Sequence, residues 1–176
     1  MNAHIPIANH PALSRLTDRK LLRSLGYIGG RWIAGKDAAD FAVTDPATGA
    51  PVARVAKLGV TETDSAICAA TSAFPLWAKR LPQDRAAILR RWAALMTDAQ
   101  EDLALLMTLE QGKPLSESRG EIAYAAEFLE WFAGEARRIN VEGVAPHLEN
   151  VEMIVRREAI GPVGVVTPWN SPSAMI

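Results

Sequence analysis

At Asn140 the hydrophobic repeat of this chain changes period, which restricts the fold to a helical layer followed by extended structure. Before that point apolar residues recur at helical spacing. Pro82 suits the first turn of a helix whose buried face is marked by Ile88, Leu89, Trp92, Leu95 and Met96. Leu103, Leu106 and Met107 continue a similar face to Gln111 after a bend near residues 97–100, and Gly112 supplies the stop. A third helix is predicted over residues 116–138, with Ile122, Ala125, Leu129, Phe132 and Ala136 on one side. Gly134 costs it about 1 kcal/mol relative to alanine, which packing must outweigh. After Asn140 the period is two. Val151, Met153 and Val155 fall on one face and Glu152, Ile154 and Arg156 on the other, the pattern of an extended arm.

Upstream, residues 27–33 read as a strand with a kink or turn at Gly29-Gly30. Residues 41–44 and 52–56 read as a hairpin around Asp45-Pro46-Ala47-Thr48-Gly49. Thr61-Glu62-Thr63-Asp64 has the spacing of a capping box that opens a helix toward Ala73, and Pro75 ends it. Residues 1–24 read as a flexible arm leading into a short helix. Arg15, Arg19, Lys20 and Arg23 among leucines resemble an organellar transit helix, but Asp18 and the short length argue for a cytoplasmic protein.

Charge and cysteine usage narrow the function classes. The 176 residues carry 19 Lys and Arg against 20 Asp and Glu, a formal net charge of −1, so bulk charge gives no nucleic-acid footprint. The pairs Arg90-Arg91, Arg137-Arg138 and Arg156-Arg157 are scattered and read as solvated surface. No window approaches the roughly 20 apolar residues that a membrane span needs. The single cysteine excludes an internal disulfide and fits a reducing compartment. Cys68 sits in a small-residue helix without a His or Glu partner and reads as a buried structural thiol. His4, His10 and His147 lack ligand spacing, so no metal site is expected. Glu110, Gln111 and Lys113 stand beside a helix stop and are expected to cap and solvate it.

The run from Gly161 ends in Thr167-Pro168-Trp169-Asn170. A primary amide at the end of a buried strand can aim its NH2 at an oxygen where negative charge develops, so Asn170 is a candidate oxyanion donor. Trp169 offers a flat face to a nucleotide or apolar substrate, and Pro168 and Pro172 restrict the backbone on either side. Taken alone, the tripeptide reads first as an ordinary turn with a packed indole.

With the segments before it, the turn resembles the aldehyde dehydrogenase superfamily, closest to its succinate-semialdehyde dehydrogenase branch. The resemblance runs from about Leu25 to Ile176. It is carried by Tyr27-Ile-Gly-Gly-Arg-Trp32, Val43-Thr-Asp-Pro-Ala-Thr-Gly49 and Met107-Thr-Leu-Glu-Gln-Gly-Lys-Pro-Leu115. Gly120-Glu-Ile-Ala-Tyr-Ala-Ala126, Glu130-Trp-Phe132 and the Thr167–Asn170 turn complete it.

The fold class it implies is α/β: the amino-terminal helical and β-hairpin portion of an aldehyde dehydrogenase-like fold, with the nucleotide-binding sheet mostly absent. Residues 25–139 would be the first part of the cofactor-binding domain. Residues 140–160 would form a β arm for homo-oligomer contacts, and residues 161–176 the first sheet strand, running over 163–166, with its turn. Open α/β sheets bind ligands at the carboxyl ends of their strands.

The resemblance also implies the chemistry, the oxidation of a small aldehyde to a carboxylate with NADP or NAD. In such enzymes a cysteine thiolate attacks the aldehyde, an asparagine holds the oxyanion, and a glutamate activates water. Of these groups only the asparagine, Asn170, has a counterpart here, and Thr167, Pro168, Trp169 and Asn170 match positions that lie against the dinucleotide. The expectation is an inactive, truncated fragment. The alternative is an interaction module whose arm pairs with intact dehydrogenase subunits.

Two departures bear on the turn. Only Val165, Val166 and Thr167 separate Gly164 from Pro168, three fewer than the family's usual spacing. A strand shortened by three residues loses roughly 10 Å of reach and reverses the face each side chain takes. Ser171 also stands where the family has an aromatic residue.

Overall fold

The structure is a computed structural model and describes residues 10–175. Its centre is a helical layer of α2 (Pro82–Asp98), α3 (Gln100–Gln111) and α4 (Leu115–Glu135), with α4 packed against both others. Pro82 opens α2 as the periodicity predicts, because its missing N–H is one that a first helical turn leaves unpaired anyway. The expected bend falls at Ala99, where φ −97° and ψ 12° leave the helical region and let one residue cap both helices. Gly112 ends α3 in the left-handed conformation, φ 82°, with its N–H returning to the Thr108 carbonyl at 2.8 Å.

The buried face of α2 differs from the one its large residues mark. Ala86 and Ala93 are the buried positions, while Ile88, Trp92 and Leu95 are exposed, Trp92 by 51%. The close approach of α2 to α4 selects small side chains; Leu89 and Met96 flank the alanines and are half-buried, whereas Ile88 and Leu95 fall on the opposite face of the helix. On α4, Ile122 and Ala125 are buried as expected, joined by Ala126 and Ala133, but Phe132 is exposed.

Residues 10–24 are not a flexible arm. Two short 3₁₀ turns, Pro11–Arg15 and Arg19–Leu21, deliver Leu13, Leu16 and Leu22 into one apolar cluster with Val52, Leu105, Leu106 and Leu109. Apolar burial of this kind holds the segment down, and Asp102 of α3 fixes its register by accepting the Thr17 and Asp18 amides at 2.9 and 2.7 Å. The rest of the expected arm, residues 1–9, including His4, lies outside the described residues.

Two hairpins follow. β1 (Gly26–Ile28) pairs antiparallel with β2 (Arg31–Ile33) across Gly29 and Gly30, both at positive φ as a two-residue turn requires. β3 (Asp40–Thr44) pairs with β4 (Pro51–Ala56), and Asp45 closes their turn by accepting from the Ala47 amide and the Thr48 hydroxyl.

The next helix, α1 (Val60–Ala78), corrects three expectations. Its cap is Gly59, and Glu62 rather than Asp64 makes the reciprocal bond, accepting from the Gly59 amide at 2.8 Å. Pro75 lies inside the helix because it falls in the last turn, where it removes one hydrogen bond and only three residues remain. Cys68 is exposed, since this part of α1 has little packed over it.

Beyond α4 the arm forms as a hairpin. β5 (Glu142–Val144) pairs antiparallel with β6 (Met153–Val155) in the register Glu142↔Val155 and Val144↔Met153. The residues of β5 are all exposed. Residues 163–166, expected as the first strand of a sheet, make no ladder, because no described strand lies beside them to pair with their backbone. Val166 is fully exposed.

Candidate functional site

The Thr167–Asn170 turn meets the helical layer at the junction of α3 and α4. Gly112 breaks α3, Lys113 and Pro114 cross to α4, and Glu121 stands two turns into that helix. Lys113 Nζ makes an ion pair with Glu121 Oε2 and donates a second hydrogen bond to the Asn170 carbonyl at 3.0 Å. Gln111 Nε2 donates to the Trp169 carbonyl at 2.6 Å. The other Glu121 oxygen accepts the Ser173 amide at 2.9 Å and the Ala174 amide at 3.4 Å. Backbone groups on both sides of the asparagine are thus held by side chains more than fifty positions away.

The electrostatics favour a charged pair. Burial pushes the Glu121 carboxyl up, but the Lys113 ammonium and the Ser173 and Ala174 amides outweigh it, and the net shift is downward. Both side chains are largely covered, 18% exposed for Lys113 and 8% for Glu121. Charge-assisted bonds in that setting are stronger than those at a wet surface. Gln111 Oε1 is buried without a hydrogen-bond partner.

Of the sequence-predicted site residues, Asn170, Pro168 and Trp169 are exposed and Thr167 is half-buried. The Trp169 indole is 83% exposed, so this is not a turn closed over a packed ring. The Asn170 carboxamide makes no hydrogen bond among the described residues, which leaves its NH2 free to donate. Ser171 is half-buried. Gln111 and Lys113, expected to cap and solvate the end of α3, bind the turn instead. Glu121 was not anticipated at all. Its only local sign is its place in a polar-apolar helix, and its partners follow no short-range spacing.

The arrangement can polarise an oxygen by hydrogen bonding and present a flat aromatic face. It holds no cysteine, since Cys68 lies on α1 and is the only cysteine in the chain. No group of three or more potential metal ligands occurs among the described residues. The sequence contains neither a G-x-G-x-x-G nor a P-loop motif.

A helical layer with an asparagine turn seated on its α3–α4 junction belongs to a recognisable class. The profile of the aldehyde dehydrogenase family matches residues 32–176, and the chain belongs to that family. Within it, the chain is 48% identical over 162 residues to the glutarate-semialdehyde dehydrogenase of Pseudomonas putida, covering 92% of this chain and 34% of that protein. It is 46% identical to the NADP(+) succinate-semialdehyde dehydrogenase GabD of Escherichia coli, with the same coverage. Among solved structures, succinate-semialdehyde dehydrogenase from Burkholderia pseudomallei aligns with a TM-score of 0.87 at 48% identity, over 91% of this chain and 33% of that one. The chain therefore spans about a third of the length of the relatives it matches.

Proposed function

We propose that these residues form the asparagine turn and its supporting scaffold in an NAD(P)-dependent dehydrogenase that oxidises a small semialdehyde, of the succinate or glutarate class, to a carboxylate. The observation that carries this reading is the free Asn170 carboxamide on a turn whose backbone is fixed, within a chain of the aldehyde dehydrogenase family. Asn170 would donate to the oxyanion formed when a thiolate adds to the aldehyde, and Thr167, Pro168 and Trp169 would line the coenzyme side. NADP or NAD is the expected coenzyme; one relative carries NADP(+) in its name. The 176 residues alone do not oxidise aldehyde, because Cys68 has neither the place nor the partners of a nucleophile. We assign a cytoplasmic setting, in keeping with an exposed free thiol.

The test is capture of the natural gene product with an antibody to residues 107–116, followed by its intact mass and an aldehyde-dependent coenzyme assay. The expected species is heavier than 19.0 kDa and oxidises succinate semialdehyde. In it, Asn170→Ala lowers kcat by roughly 100-fold to 1000-fold, the range for loss of one oxyanion donor. A 19.0 kDa species that reduces NADP with succinate semialdehyde would overturn the reading.

A second reading has its own observation. The β5–β6 arm presents a wholly exposed β5 and a short open edge, suited to adding onto another chain's sheet. In this reading residues 140–160 join subunits, either copies of the same protein or an intact dehydrogenase. An inactive 19.0 kDa species captured together with a full-length dehydrogenase would favour it.

A further inference from the structure

Three side chains approach the Pro-Trp-Asn turn from the helical layer, and none belongs to the segment that delivers it. That segment has no ladder partner over residues 161–166. A turn at its end has nothing of its own to hold it in place, yet its backbone is bonded at Trp169, Asn170, Ser173 and Ala174. We propose that the Lys113–Glu121 ion pair is the positioning device for Asn170, clamping the carbonyl of that residue and the amides that follow it from the α3–α4 junction.

The geometry explains how one pair does this. Lys113 Nζ bridges Glu121 Oε2 and the Asn170 carbonyl, while Glu121 Oε1 takes the Ser173 and Ala174 amides. Both ends of the turn are therefore referred to one largely covered charge pair that joins the α3–α4 connection to the second turn of α4. The clamp draws only on residues 113–121 and 170–174, so the short spacing from Gly164 to Pro168 does not enter it. A strand of altered length changes the approach and leaves the seat unchanged. Lys113 and Glu121 act through Asn170 and touch no reacting atom, so they are positioning residues. Their catalytic consequence rests on the function proposed above; the clamp itself does not.

The test is amide hydrogen exchange on the full chain, comparing Ser173 and Ala174 with Thr17 and Asp18, whose amides Asp102 holds. In Glu121→Ala, exchange at Ser173 and Ala174 is expected to rise roughly 10-fold or more, the factor carried by a charged hydrogen bond, and in Lys113→Met, which frees the Asn170 carbonyl and leaves Glu121 without its counter-ion, by a smaller factor, with Thr17 and Asp18 unchanged in both. Lys113→Arg, which keeps charge and reach, restores protection. Wild-type rates at Ser173 and Ala174 in both variants would overturn the proposal. Should a variant lose protection everywhere, the unsubstituted chain still decides: slowly exchanging Lys113 ammonium protons with cross-relaxation to Asn170 uphold the clamp, and an averaged free ammonium signal refutes it. Dependence of this protection on the pair, together with a heavier natural product that does not oxidise succinate semialdehyde, would sink the proposed function and leave the clamp standing. Aldehyde oxidation with indifferent amides would do the reverse.

Discussion

Asp102 and Asp18 stand 84 positions apart, and Oδ2 of the first accepts the backbone N–H of the second at 2.7 Å. The same carboxylate takes the Thr17 amide through Oδ1 at 2.9 Å. One side chain of α3 thus ties the amino-terminal segment to the helical layer, beside the cluster formed by Leu13, Leu16 and Leu22.

Removing that tie leaves two amides without their acceptor. Asp102→Ala is expected to destabilise the chain by about 3 kcal/mol, as charged hydrogen bonds contribute about 1.5–3 kcal/mol each and are not fully additive. Urea unfolding measures the loss. Trypsin should cut at Arg15, Arg19 and Lys20 well before it does in the unsubstituted chain. An unchanged cleavage lag would sink the assignment.

Glu62 predicts a pH dependence. The Gly59 and Lys36 amides, bonded at 2.8 and 2.7 Å, hold its carboxyl below the ordinary value of 4.5, against an opposing effect of burial. A carboxyl depressed in the folded state contributes stability that is fully present above 4.5 and is lost as pH falls through the lower, folded value. Glu62→Gln should therefore flatten the acid limb of a Tm-versus-pH curve, and the two proteins should converge at low pH. Parallel curves would refute it.

Gly112 and Gly49 separate backbone strain from crowding. Both have positive φ, 82° and 72°. A Cβ on Gly112 would lie 2.6 Å from Pro46 Cγ, whereas one on Gly49 meets nothing within 4 Å. Gly49→Ala should cost about 1–3 kcal/mol for the left-handed conformation alone, and Gly112→Ala clearly more. Thermal unfolding of the two variants checks the order, and equal losses would contradict it.

If the β5–β6 arm joins subunits, Ile154, 61% exposed, belongs to the contact. Ile154→Lys should then shift sedimentation toward the monomer without changing the far-ultraviolet dichroism, since burying the ammonium opposes association and the fold does not need that side chain. An unsubstituted chain that stays monomeric at every concentration would rule out a contact between copies of this chain.

Where structure follows from neighbours in the chain, the sequence was legible. Gly29-Gly30, the Asp45–Gly49 turn, Pro82 and Gly112 each sit where local sterics and hydrogen bonding dictate. The family resemblance, carried by motifs spread from Tyr27 to Asn170, was legible for the same reason. What depends on distant partners was not. Leu13, Leu16 and Leu22 looked like a loose arm because their cover comes from α3 and β4. The face of α2 was misread because its large residues set the apparent stripe, whereas the neighbouring helix selects the small residues Ala86 and Ala93, which lie across the helix from Ile88 and Leu95. Lys113 looked like a solvated charge and Glu121 drew no reading, because Asn170 and Ser173 reach them only across 57 and 52 positions of chain. Strand 163–166 was expected from the family resemblance, yet a strand exists only where another backbone pairs with it.

The buried positions of α2 are Ala86 and Ala93, and α4 adds Ala125, Ala126 and Ala133. Alanine has no rotamers to surrender, so closing this helix pair is nearly free of side-chain entropy loss. The same smallness makes the seam unforgiving: an isobutyl group in place of the Ala86 methyl would wedge the two cylinders apart and carry the junction bearing Lys113 and Glu121 with them.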